Sequence, residues 1–285
     1  MKNHLILVFL FLPSLLSIQA SERKAFEIPR TEVVSIQDTQ SDRQYELYIK
    51  LPKGYSEKKD AEYPVIYFTD AVWHMEILSA STEFLLEDVI LVGISWQKNI
   101  DAKLKEEVGE YVSRFRDYTV IKSSNAEHQA KYQFGQASQH LAFIRNDVFK
   151  YVESNYQTDP SNRTYFGYSA GGLFGAYVLL SAPDTFKNYL LGSPSVQGDM
   201  TYLTELNSDA QLKSVNLNAN VFISHGSLEK ELSSHIEEYI SLLKNRKDTS
   251  LSLRQVVIEG SHQTGFPMTG VRAVTWLSHL IKDKD

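Results

Sequence analysis

Gly167-Tyr168-Ser169-Ala170-Gly171, followed by Gly172, sets a serine between two glycines that stand two residues away on either side. This spacing suits a nucleophile elbow, a strained strand-to-helix turn that lifts the serine hydroxyl clear of a sheet. Glycines are needed there because side chains would strike the adjoining strand and helix. As a bare pentapeptide the pattern arises by chance in roughly a tenth of chains this long. Its flanks make it more specific. Arg163-Thr164-Tyr165-Phe166 is strand-like and runs straight in, and the small, apolar stretch 170–180 reads as a helix running straight out. The competing reading is a glycine-rich turn with an idle serine.

A serine nucleophile needs a general base, and the base needs an acid, both later in the chain when the serine sits on an elbow. Of eight histidines, His262 lies in Glu259-Gly260-Ser261-His262, between the last strand-like run and the last helical one. His235 and His279 fall inside helical stretches, and His225 ends a strand two elements too early. For the acid, the strand 219–224 leads into His225-Gly226-Ser227-Leu228-Glu229. A carboxylate there can accept from the imidazole, fixing its tautomer and stabilising the imidazolium formed during attack. Glu231 is the nearest rival, with the ordinary role of a first-turn helix acid, and Asp199 is a more distant one. Two backbone N–H groups should receive the oxyanion. One belongs to Ala170; the other belongs to Ala71 or Val72, in the loop Asp70-Ala71-Val72-Trp73-His74.

These residues need a frame. Runs 32–39 and 45–51 are short and β-rich, divided by Gln40-Ser41-Asp42-Arg43, and read as an antiparallel hairpin. Runs 63–69 and 88–96 are continuously apolar, as in strands buried on both faces. Runs 164–168, 189–192, 219–224 and 252–258 have the same character. Between them 142–155, 170–181, 232–245 and 270–282 carry apolar residues at helical spacing. The alternation predicts an α/β domain: a mostly parallel sheet, an N-terminal antiparallel hairpin at its edge, and helices on both faces. The segment 97–140 breaks the pattern. It is long, charged and weakly periodic, and is expected to be a lid-like insertion above the carboxyl edge of the sheet. Its Tyr111, Arg114, Tyr118, Tyr132 and Phe134 are then candidates for gripping a large ligand, against the alternative of a solvated insertion facing away.

Composition narrows the class. The chain has 285 residues, no cysteine and a formal charge of −6, which becomes −7 once the segment holding Lys2 is removed. A disulfide framework, a cysteine nucleophile and thiolate metal sites are excluded. No basic stripe is present to attract phosphates, so nucleic acid is not an expected partner. Lys2, the apolar run 5–18 broken by Pro13, and Gln19-Ala20 before the polar Ser21-Glu22-Arg23-Lys24 read as a secretory signal peptide cut after Ala20. An uncleaved anchor is the alternative. The expectation is a periplasmic or secreted single domain over 21–285, with no membrane association after cleavage.

Taken in order, YPVIYFTDAVWHM, LVGISW, Arg114-Phe115-Arg116-Asp117-Tyr118-Thr119, FIRNDVFKYVESNY, FGYSAGGLFGAYVLL, LGSPS and HGSLEKE resemble the esterase (esterase D-like) group of α/β-hydrolases. That group includes siderophore esterases, S-formylglutathione hydrolases and carbohydrate-ester hydrolases. The resemblance runs from about Phe26 to Leu280. It is nearest to the periplasmic siderophore-esterase branch, through the export-like start and the Gly-Ser-Leu-Glu segment. It implies a Ser–acid–His hydrolase and carries those roles onto Ser169, Glu229 and His262. The family usually has glycine where this chain has Ala71, so the oxyanion loop is expected to differ slightly. Arg114 and Asp117 match the family's RxRD segment, where loop bracing and substrate contact are both open. Trp73 is a second candidate substrate contact. The reading is a carboxylic ester hydrolase working through an acyl-enzyme on a small-molecule ester, with no metal and no organic cofactor. An acyltransferase on the same residues, or a non-catalytic binding protein on this scaffold, are its rivals.

Overall fold

The computed structural model describes residues 25–58 and 60–282. The signal-peptide reading of 1–20 lies outside the described residues. Eight strands form one sheet in the order β1-β2-β4-β3-β5-β6-β7-β8. β1 (Thr31–Gln37) and β2 (Gln44–Lys50) make the expected antiparallel hairpin, and β2 joins β4 (Ile90–Ile94) antiparallel. From there β3 (Tyr63–Phe68), β5 (Thr158–Tyr168), β6 (Asn188–Gly192), β7 (Asn220–Gly226) and β8 (Ser252–Ile258) are parallel.

The central strands show why continuous apolar runs arise. Successive side chains point to opposite faces, and here each face is covered. Tyr165, Tyr189, Leu191, Val221 and Ile223 enter one core, while Phe166, Leu190 and Phe222 enter the other. On the second face α1 (Ala71–Leu85) and α10 (Phe266–Lys282) pack together over the sheet through Met75, Leu78, Ala273, Val274 and Leu277. The larger core takes Phe143, Val152, Phe174, Leu203, Ile236 and Ile240 from the helices of the other face.

Segment 97–140 is not irregular. It folds into α2 (Ala102–Val108), a short 3₁₀ turn, α3 (Arg114–Asp117) and α4 (Ala126–Tyr132), and ends within α5 (Ala137–Phe143). A π-helical stretch continues α5 into α6 (Phe149–Asn155), so the expected helix over 142–155 begins earlier and is locally unwound. α7 (Ala170–Ser181) and α9 (Lys230–Asn245) agree with the sequence reading to within two residues at each end. α8 (Met200–Leu212) and α1 were not anticipated. The buried side of α1 carries His74, Ser79, Ser81 and Thr82 among its apolar residues, which blurs the periodic signal. Ser81 turns its hydroxyl back to the Ile77 carbonyl at 2.7 Å, and Thr82 turns its own to those of Leu78 and Ser79 at 2.9 and 3.3 Å, which satisfies both within the helix and lets them be buried.

Candidate active site

Parallel pairing brings the ends of β3 and β5 level, with Phe68 opposite Phe166. The end of β5 and the turn after β3 therefore emerge side by side: Gly167-Tyr168-Ser169 beside Thr69-Asp70-Ala71. Ser169 has φ 57° and ψ −119°, a sparsely populated conformation for a residue with a side chain. Both flanking glycines are required by contact. A Cβ on Gly167 would stand 2.3 Å from the Gly171 carbonyl oxygen, and one on Gly171 would stand 2.4 Å from Thr69 Oγ1.

Glu229 and His262 meet at the carboxyl ends of β7 and β8. Glu229 Oε1 lies 2.5 Å from His262 Nδ1, and the carboxylate is almost buried while the imidazole is about a third exposed. The other carboxylate oxygen accepts from the Gly226 N–H and, at 2.8 Å, from the Ser193 hydroxyl. Charge-assisted bonds of this kind hold the carboxylate in one orientation. Tyr168 donates to the His262 carbonyl oxygen at 2.6 Å. Burial pushes the Tyr168 hydroxyl up to about 12, so it stays protonated and can donate at neutral pH. Ser169 Oγ pairs with Ser195 Oγ at 3.2 Å, and among the described residues it forms no hydrogen bond with His262. In serine hydrolases that bond often tightens only when substrate arrives.

Asp70 precedes α1 in a left-handed conformation, φ 57° and ψ 44°. Its carbonyl oxygen accepts from the N–H groups of Trp73 and His74, at 2.9 and 3.1 Å. The N–H groups of Ala71 and Val72 occupy the first turn of α1, where a helix offers donors with no intrahelical acceptor. Ala170 holds the corresponding first position of α7, directly after Ser169. The Glu229–His262 pair thus lies at the carboxyl ends of β7 and β8, and Ser169 and the first turns of α1 and α7 lie at those of β3 and β5.

The Putative esterase family (Esterase) matches residues 39–261. The chain belongs to that family. The esterase is 28% identical over 234 residues to the ferri-bacillibactin esterase BesA of Bacillus subtilis (strain 168), covering 75% of this chain and 76% of that protein. Among solved structures, the BES protein from Bacillus cereus superposes with a TM-score of 0.75 at 22% identity, covering 90% of this chain and 98% of the other. Siderophore hydrolase EstB from Aspergillus nidulans does so with a TM-score of 0.72 at 18% identity, covering 89% and 96%. The fold is that of the α/β-hydrolases these structures share.

The structure of this esterase sorts the other sequence candidates. Glu231 sits in the first turn of α9, the ordinary place for a solvated acid. Asp199 precedes α8, where burial raises its carboxyl to about 6, and among the described residues it makes no hydrogen bond to His262. His225 is buried at the end of β7. Arg114, proposed as a substrate contact or a brace, directs Nε and Nη2 to the buried Asp70 carboxylate at 2.7 and 3.1 Å. That is bracing geometry. Arg116 and Tyr45 likewise close on the buried Asp117. Tyr118 is 1% exposed and has no surface to offer a ligand. Trp73, in contrast, is 46% exposed beside the donor loop, edge-on to Trp96 at 4.7 Å and 5.7 Å from Tyr111.

Ala71, where the family usually has glycine, needs no glycine here, because the positive φ falls on Asp70 instead. Its methyl group lies against Gly93 of β4, where a Cβ would come within 2.8 Å of it. Sequence reasoning gave no role to Tyr168, Ser193 or Ser195. LGSPS marked the last two only as part of a family segment, and their roles depend on contacts across β5, β6 and β7.

Proposed function

We propose that the esterase cleaves siderophore esters outside the cytoplasm through an acyl-enzyme on Ser169. His262 takes the Ser169 proton as the hydroxyl attacks the ester carbonyl, then returns it to the departing alcohol. Glu229 fixes the imidazole with its proton on Nδ1, leaving Nε2 to act as base, and stabilises the cation formed on attack. The tetrahedral oxyanion rests on the N–H of Ala170 and on those of Ala71 and Val72. Water, activated by the same histidine, releases the acid.

The observation that carries this reading is the 2.5 Å contact between Glu229 and His262, beside a serine in an elbow conformation. The substrate class is supported by the similarity to the ferri-bacillibactin esterase over three quarters of the chain. The exposed Trp73, with Trp96 and Tyr111 behind it, gives an aromatic surface beside the donors on which a large ligand can lie. Action outside the cytoplasm is supported by the signal-like first twenty residues. The test is to incubate the chain from residue 21 onward with ferri-bacillibactin and with p-nitrophenyl acetate. Hydrolysis of both, lost in Ser169→Ala, is the expected result. Turnover of the small ester alone would remove the siderophore assignment and leave the serine esterase.

A further inference from the structure

Asp70 is an aspartate at a helix N-terminus that does not cap its own helix. An aspartate there ordinarily turns its side chain back to accept from the N–H groups of the first turn. Asp70 makes no such bond. Its carboxylate, fully buried, is drawn the other way: Trp96 Nε1 donates at 2.6 Å, Arg114 Nε at 2.7 Å and Arg114 Nη2 at 3.1 Å. Arg114 is itself held in place, with its guanidinium 4.9 Å over the Trp73 ring and 5.7 Å from that of Tyr118. The N–H groups of Ala71 and Val72, in the first turn of α1, are thus left without an acceptor from the Asp70 side chain. They are the groups assigned above to the oxyanion.

We infer that Arg114 and Trp96 are positioning residues that keep the Asp70 carboxylate out of the oxyanion hole and hold its backbone in the left-handed conformation that aims Ala71 and Val72. This rests on the reading of those two N–H groups as oxyanion donors. Arg114 comes from the insertion and Trp96 from the end of β4, so the segment after β4 completes the donor loop of β3. Without Arg114, a buried carboxylate loses its countercharge and the strongest of its alternatives is the nearby helix N-terminus, which attracts negative charge. Asp70 would then cap α1, occupying the donors and setting an anion where the oxyanion must form. No bond is made or broken in this role. The clamp acts only by where it holds one side chain.

The account separates from mere structural support through a double substitution. Arg114→Ala should lower kcat on p-nitrophenyl acetate by roughly 10²–10³, the scale of a lost oxyanion donor, with KM little changed. Binding of a trifluoromethyl ketone, whose adduct carries the oxyanion, should weaken by a similar factor. Adding Asp70→Gly to Arg114→Ala removes the side chain that would cap α1, where asparagine would still cap, keeps the left-handed φ of 57° without strain, and should restore at least tenfold of the lost kcat, although it removes one more native group. Trp96→Phe, which deletes a single donor, should shift kcat and ketone binding in the same direction by a smaller factor, and serves if Arg114→Ala does not fold. The inference is overturned if Arg114→Ala keeps kcat on the small ester, if ketone affinity is unchanged while kcat falls, or if the double variant is no better than the single. Failure of the proposed function as a whole looks different: the wild-type protein would neither turn over the ester nor bind the ketone.

Discussion

At Ser169, the proposed nucleophile, the backbone is strained, with φ 57° and ψ −119°. The elbow conformation is one that glycine adopts freely and other residues adopt at a cost of about 1–3 kcal/mol. Ser169→Ala and Ser169→Gly both remove the nucleophile, and each should lower kcat on the order of 10⁴-fold or more. Their stabilities should differ: Ser169→Gly should exceed Ser169→Ala by about 1 kcal/mol in denaturant unfolding, because only glycine relieves the strain. Equal stability would mean that the turn is not strained. The neighbouring carboxylates give a second contrast. Glu229→Gln should cost roughly 10²–10⁴-fold in kcat, since an orienting acid matters less than the nucleophile. Glu231→Gln, on the solvated first turn of α9, should be near neutral, and kcat measurements on p-nitrophenyl acetate decide between them. The Glu229–His262 contact and the turn at Ser169 were legible because each of these residues follows a recognisable strand. Ser193 and Ser195 were not, because a serine in a turn carries no local mark of the carboxylate or hydroxyl it will meet across three strands.

At the scale of elements, α1 is where the sequence was hardest to read and where the structure is most constrained. His74 lies on its buried side, stacked on Phe266 at 4.9 Å and edge-on to Phe166 at 5.5 Å. Burial lowers its pKa from 6.5 to about 4, a shift the charge of Asp70 only partly opposes. Between pH 6.5 and 4 the unfolded chain binds a proton at this residue and the folded chain does not, so the contribution of His74 to stability falls as pH falls through that window. The upper limit is about 3 kcal/mol. His74→Phe should therefore lose less stability than the wild type between pH 7 and pH 4 in urea unfolding, and an identical pH profile would show that His74 is charged or exposed in the folded state. A helix that buries histidine, serine and threonine shows no aliphatic stripe, which is why α1 escaped the periodic reading while α7, α9 and α10 did not. The strands were read more easily, because burial on two faces leaves a continuous apolar run whatever the neighbouring strand is. What a run of that kind cannot reveal is strand order, and so the proximity of Thr69-Asp70-Ala71 to Ser169 had to come from the pairing of β3 with β5.

For the molecule as a whole, net charge and site chemistry point in different directions. A chain of charge −6 does not attract anions, and three of the five lysines in 97–140, Lys98, Lys105 and Lys131, each pair with a glutamate. Discrimination between esters must then rest on surface that touches the substrate away from the reacting carbonyl, where remote binding energy improves transition-state binding. In the proposed function this role falls to Trp73, 46% exposed, while Arg114 directs its guanidinium to Asp70. Trp73→Ala should lower kcat/KM for ferri-bacillibactin by roughly tenfold or more, the worth of one stacked aromatic contact, while changing it little for p-nitrophenyl acetate. Equal loss on both esters would mean that Trp73 supports the donor loop instead of the substrate.

The central claim is that Ser169, and no other residue, is the nucleophile. Its most direct test is reaction of the chain from residue 21 onward with diisopropyl fluorophosphate, followed by peptide mapping by mass spectrometry. The account predicts one adduct, on Ser169, slowed in Glu229→Gln and absent in Ser169→Ala. An unreactive wild-type protein, or an adduct that persists in Ser169→Ala on Ser195 or elsewhere, would contradict it.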